Sequence, residues 1–97
     1  MASSLTKSIR IKPSVRSAFT SDGAVLMEIT KGMMFTSNPV GGRILELLAG
    51  GATSDEVVRA VSQECGVSTE IVRRDFEAFA DQLYRYGLIE RPAPAVE

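Results

Sequence analysis

Apolar and polar positions alternate with two different periods along this chain, and the period changes close to residue 37. Before it the spacing is two. In Ala24–Thr30, Val25, Met27 and Ile29 share one side, with Leu26, Glu28 and Thr30 opposite, which predicts a strand. Val15–Phe19 alternates more weakly and predicts the preceding strand, with Thr20-Ser21-Asp22-Gly23 as the turn between them. Lys31-Gly32 turns the chain again, and Met33-Met34-Phe35-Thr36 returns as the partner strand of a β-hairpin. Upstream, Ile9-Arg10-Ile11 is a candidate short edge strand closed by Lys12-Pro13, because proline cannot donate to a ladder.

From Asn38 onward the period is helical. Asn38-Pro39 is a helix entry: asparagine caps an orphan backbone N–H, and proline at the first helical position has no bond to lose. Val40, Ile44, Leu47 and Leu48 then form the expected core-facing stripe. Gly41-Gly42 weakens that first turn by about 1 kcal/mol per glycine relative to alanine, so either another backbone comes close there or the loss is tolerated. Gly50-Gly51 ends the helix. Thr53-Ser54-Asp55-Glu56 reads as a capping box, opening a second helix with Val57, Val58, Val61 and Cys65 on its stripe and Gly66 as its stop. Cys65, without a second cysteine or any histidine to assist it, is expected to be a buried small hydrophobe, not a nucleophile. Ser68 caps a third helix of roughly Thr69–Tyr86, striped by Val72, Phe76, Phe79 and Leu83; Gly87 stops it, and Leu88-Ile89 returns to the core. Only Gly66-Val67-Ser68 joins the last two helices, a helix-turn-helix spacing. The expected fold is therefore α+β and winged-helix-like, with a short antiparallel sheet of two to three strands followed by a three-helix bundle. Residues 1–14 are expected to form a flexible N-terminal segment with its edge strand, residues 15–91 the domain, and residues 92–97 a disordered tail.

Composition narrows the chemistry. With 97 residues, 44% hydrophobic and 24% charged, the chain suits one domain burying about 60–65% of its unfolded surface. One cysteine and no histidine remove intrachain disulfides, histidine-based metal sites and histidine general bases together. GxSxG, phosphate-cradling glycine loops and paired-cysteine spacings are absent, and Glu56, Asp75, Glu77 and Asp81 fall on helices where solvated faces are the default. A non-catalytic protein without a cofactor is expected. No apolar run reaches the roughly 18–20 residues of a bilayer span, and MASSLTKS lacks the apolar core of a secretory signal, so no membrane association and a cytoplasmic location are expected. The alternative raised by the helix-turn-helix is a DNA-binding regulator. The third helix presents Glu70, Arg73, Arg74, Glu77, Asp81 and Arg85, a mixture in which only Arg73-Arg74 suits phosphates, and the net charge is −1, so no nucleic-acid partner is expected. A small sheet beside helices leaves a strand edge open, and an open edge is covered, blunted or used. Here it is expected to be used, and the same edge is competent to pair with a second copy as a homodimer.

The run DGAVLMEITKGMMFTSNPVGGRILELLAGGATSDEVVRAV, followed by VSTEIVRRDFEAFADQLYRYGLI, resembles the PqqD family over roughly Val15–Ile89. The order and spacing of Asp22, Gly23, Gly32, Asn38, Leu48, Gly50 or Gly51, Thr53, Asp75, Leu83, Gly87 and Leu88 carry the resemblance. It implies a peptide chaperone that recognises the leader of a ribosomally made precursor, as in pyrroloquinoline quinone biosynthesis. Such a chaperone presents the peptide to a modifying enzyme, often a radical S-adenosylmethionine enzyme. It also implies β-augmentation, the leader adding as a strand to the hairpin's last strand in a groove against the third helix. Carried over to this chain, the edge is Met33, Met34, Phe35, Thr36 and Ser37, with backbone groups of Met34 and Thr36 or their neighbours pairing with the peptide. The groove wall is Val72, Arg73, Asp75, Phe76 and the neighbourhood of Ala80. Methionine suits such a lining because a flexible thioether repacks around varied side chains. Even so, at least two of Met33, Met34 and Phe35 are expected to be mostly buried. The chain departs from the family pattern at Ser37, where a bulky apolar residue is usual, and at Met34-Phe35, where an aromatic pair is usual.

Overall fold

The computed structural model describes residues 9–90; the expectations for Met1–Ser8 and for the tail from Pro92 lie outside the described residues. Strands β1 (Arg10–Ile11), β2 (Val15–Thr20), β3 (Gly23–Glu28) and β4 (Met33–Thr36) precede helices α1 (Pro39–Ala49), α2 (Ser54–Cys65) and α3 (Thr69–Arg85), and a last strand β5 (Ile89–Glu90) follows. Strands β2, β3 and β4 form one antiparallel sheet in that order, with Ser17, Leu26 and Phe35 in register in one row and Arg16, Met27 and Met34 in the next. Strand β5 pairs antiparallel with β1, Ile89 opposite Ile11, so the chain's late return closes a separate two-stranded sheet. This is the α+β class read from the sequence.

Alternation in β3 is as expected, and packing decides which face is inward. Ala24, Leu26 and Glu28 are buried, whereas Val25 (42% exposed), Met27 (39%) and Ile29 (52%) lie on the outside. The choice follows from α1, which packs on β3 at very close range. A Cβ at Gly42 would stand 2.6 Å from the carbonyl carbon of Gly23, and one at Gly23 would overlap the Ser37 carbonyl. Backbone meets backbone at Gly42, whereas a Cβ at Gly41 would stand 3.1 Å from both the Phe79 ring and the Ser37 side chain, and these two close approaches are the physical reason for the glycine pair in the first turn. With α1 held this near, only the face carrying Ala24 and Leu26 can lie beneath it.

The helices start and stop where the sequence places them. Asn38 Oδ1 accepts from the Gly41 N–H at 2.8 Å, with Pro39 in the first helical position. At α2 both halves of the capping box form: Thr53 Oγ1 accepts from Glu56 N–H at 3.2 Å, and Glu56 Oε1 accepts from Thr53 N–H at 2.9 Å. Ser68 Oγ caps α3 through the Ile71 N–H at 3.3 Å. Two expected core positions are corrected. Val40 is 47% exposed, its place on the inward stripe of α1 being taken by Gly41 and Gly42, whose missing side chains let the sheet approach. Cys65, the last residue of α2, is exposed because the helix has by then run past the core that buries Val57, Val58 and Val61. The core itself is assembled around the fully buried Leu26, Leu45, Val57, Val58, Leu83 and Leu88. No helix among the described residues is long and apolar enough to cross a membrane.

Candidate functional site: the open edge of β4

Strand β4 has β3 on one side and no strand on the other among the described residues. Which of its backbone groups point outward follows from one bond. Ser37 N–H donates to the Ala24 carbonyl at 2.9 Å, which makes Ala24 and Ser37 a hydrogen-bonded pair. Hydrogen-bonded and non-hydrogen-bonded pairs alternate along an antiparallel ladder, so Phe35 and Met33 also turn their N–H and C=O toward β3. Met34 and Thr36 then direct theirs to the open edge. Ser37 does a further job at the end of the strand. Its Oγ accepts from Ala24 N–H at 3.1 Å and donates to the Asn38 carbonyl at 3.1 Å, so this hydroxyl fastens the end of β4 to the start of β3. A bulky side chain there would meet Gly41, whose Cβ position is 3.1 Å from that of Ser37.

Side chains divide by the same parity. Met34 (59% exposed) and Thr36 lie on the outer face beside Met27 and Val25. Met33 and Phe35 are half-buried against the core, so two of the three large side chains do turn inward, though neither is fully enclosed. The Phe35 ring lies 6.3 Å from Phe79 and 5.8 Å from Tyr86, centroid to centroid, in tilted aromatic contacts. One face of α3 therefore comes up to β4 through the Phe35 ring. Helical spacing puts Asp75, Phe79, Gln82 and Tyr86 on that face.

The wall residues named from the sequence separate into three places. Val72 and Phe76 are core residues, 6% and 3% exposed. Arg73 lies on the opposite flank of α3, where it meets Asp55 of α2 at 3.0 Å, and Ala80 is buried in the core. Asp75 is exposed and shares the face of Phe79. The sequence pattern puts Phe79 on the core stripe and Tyr86 at the end of the helix, and neither ring stands out from it as a neighbour of Phe35. The readable signal was the spacing of four, seven and eleven from Asp75, which places both rings on a face adjoining the core stripe.

A buried carboxylate braces the hairpin at the other end of β4. Glu28, 2% exposed, accepts from Thr30 N–H at 2.8 Å, Thr30 Oγ1 at 2.5 Å and Lys31 N–H at 3.2 Å, and also from the Ser14 hydroxyl. The Ser14 and Thr30 hydroxyls, aided by the two backbone N–H groups, hold its pKa down at about 2 from 4.5 against the opposing effect of burial. One side chain thus ties the start of β2 to the β3–β4 turn, and the exposed strand leaves a fixed support. Among the described residues no group of three or more His, Cys, Asp or Glu is placed to hold a metal ion.

An α+β domain with an open strand edge facing an aromatic-lined helix is the arrangement these observations define. The family model for coenzyme PQQ synthesis protein D (PqqD) matches residues 23–89, and the chain belongs to the PqqD family. Among solved structures it is similar to TbiB1 in complex with the TbiA(beta) leader peptide, with 34% identity, a TM-score of 0.81, and coverage of 87% of this chain and 98% of that one. It also shares the fold of a lasso peptide synthetase B1 complexed with the leader peptide, at 24% identity and a TM-score of 0.77, covering 86% and 98%. No curated protein matches the chain.

Proposed function

We propose that this protein binds the leader of a ribosomally made precursor peptide as an added strand on β4 and presents that peptide to a modifying enzyme, without catalysing a reaction itself. The observation that carries the reading is the pair of outward-facing N–H and C=O sets at Met34 and Thr36 beside the Phe35, Phe79 and Tyr86 rings. Family membership and the leader-bound TbiB1 support it. A peptide paired with Met34 and Thr36 puts every second side chain toward the helices, opposite Phe35, and the rest on the outer face beside Met34. Main-chain bonds then give affinity and the aromatic rings give register. The enzyme partner fits the family's association with radical S-adenosylmethionine enzymes. A single cysteine with no disulfide suits the cytoplasm, where we place this activity. The DNA-binding alternative gains nothing from the geometry, since Arg73, half of its only basic pair, is engaged by Asp55.

The test is an NMR titration with leader fragments of precursor peptides encoded beside this gene. Amides of Met33–Ser37 and of Asp75, Phe79, Gln82 and Tyr86 are expected to shift. Shifts confined to α2, or none with any fragment, would overturn the reading.

A further inference from the structure

At the Met33 end of the β4 edge, three cations surround one end of α3. A cleft of about 580 Å³ is lined by Lys12, Lys31, Arg85 and Glu90 together with Tyr84 and Gly87. The two lysines converge: a Cβ at Gly87 would stand 3.1 Å from Lys31 Nζ and 3.7 Å from Lys12 Nζ. Neither lysine forms a salt bridge among the described residues. Like charges brought this close repel unless an anion lies between them; Glu90 is the one carboxylate in the lining, and the ionised Glu28, which accepts from the Lys31 backbone N–H at 3.2 Å, offsets part of the Lys31 charge from behind the turn. The carbonyl end of α3 offsets part of that charge, as a helix C-terminus does for nearby lysines, but amounts to only about half an elementary charge. A favourable place for an added anion remains.

Its position relates it to the edge. Lys31 belongs to the turn that leads into Met33, and Gly87 follows Tyr86, whose ring touches Phe35. A strand lying along β4 and continuing past Met33, at about 3.3 Å per residue, runs toward the turn that carries Lys31.

We infer that the Lys12–Lys31–Arg85 cleft receives an aspartate or glutamate of the bound peptide, at a fixed distance from the side chain that faces Phe35. The inference rests on the strand-addition reading and makes it more specific: the preferred ligand is an extended segment with an apolar anchor and an acidic residue toward the Met33 end. The acid fixes register where the backbone, with equivalent bonds at each step of two residues, does not.

A random peptide library displayed and selected on the full-length protein tests this. Wild-type protein is expected to enrich an apolar pattern with Asp or Glu at constant spacing. The variant Lys12→Ala/Lys31→Ala, shown by its urea transition to be folded, is expected to keep the apolar pattern and lose the acid. A selected peptide should bind that variant about tenfold more weakly, whereas its Asp→Asn or Glu→Gln form should bind both proteins alike. An apolar pattern without acid in both selections overturns the inference and leaves strand addition standing. Failure of wild type to select more than Thr36→Pro overturns strand addition, and the inference with it. Inorganic phosphate is the remaining arm: a shift of the Gly87 amide by submillimolar phosphate, without peptide, assigns the cleft to a free anion instead.

Discussion

A carboxylate persists inside this small domain at Glu28 because its oxygens are supplied with donors from Ser14, Thr30 and Lys31. The pH consequence has a definite sign. The folded carboxyl titrates near 2 and the unfolded one near 4.5, so below 4.5 the unfolded chain binds the extra proton. Its stabilisation is therefore complete above about pH 4.5 and is lost as pH falls toward 2. Urea midpoints measured from pH 6 to pH 2.5 should decline more steeply for wild type than for Glu28→Gln; parallel declines would remove Glu28 from the account. Gly42 sets a second test at this scale. Its Cβ position is 2.6 Å from the Gly23 backbone, which cannot yield as a flexible side chain would. Gly42→Ala should therefore destabilise by about 1–3 kcal/mol despite alanine's better helix propensity, read from urea denaturation. A stabilised Gly42→Ala would mean that α1 can back away from the sheet.

Among the elements, β4 depends most on parity. Because Thr36 N–H points to the open edge and Phe35 N–H to β3, proline has different consequences at neighbouring positions. Thr36→Pro should leave the fold intact and weaken peptide binding about tenfold or more, from a lost bond and a ring in the way of the added strand. Phe35→Pro should disrupt the hairpin itself, seen as a lost thermal transition. Equal binding by Thr36→Pro and wild type in calorimetry would rule out this edge. The contrast also shows what was legible. Caps at Asn38, Thr53 and Ser68 depend on residues within one turn, so the local sequence contains the whole cause. Which face of β3 is inward depends on Gly42 meeting Gly23, nineteen positions away, and apolar Val25, Met27 and Ile29 were the more conspicuous row. Cys65 misled for a related reason: periodicity assigns a side of the helix, but not how far along it the core extends. An exposed thiol at that position should react with a water-soluble disulfide reagent in native buffer as fast as in denaturant; a strongly slowed native reaction would place it inside after all.

At the scale of the whole molecule, a pairing invisible to local pattern brings the C-terminal end of α3 to the site. Two-residue strands carry almost no periodic signal, yet β1 and β5 join Ile11 to Ile89, and Lys12 N–H donates to the Leu88 carbonyl at 3.0 Å. That closure fixes Leu88 in the core directly after Gly87, so Tyr86 is held against Phe35 and cannot swing away. The Phe35–Phe79–Tyr86 contact thus joins the hairpin to α3, with the β1–β5 pairing just beyond the helix end. Recognition and stability should separate along α3 accordingly. Phe76→Ala empties a site 3% exposed and should cost about 3–5 kcal/mol, a large fraction of what a domain this size has. Tyr86→Ala removes a ring that is 43% exposed, so its melting temperature should move little while leader-peptide affinity falls about tenfold. Calorimetric titration well below both melting temperatures makes the comparison fair, because each variant is then measured folded. Under those conditions Phe76→Ala, if it folds, should bind nearly as wild type does. The reverse order, with affinity lost at Phe76 and retained at Tyr86, would move the peptide from the Phe79–Tyr86 face to the flank of α3 that packs on α2.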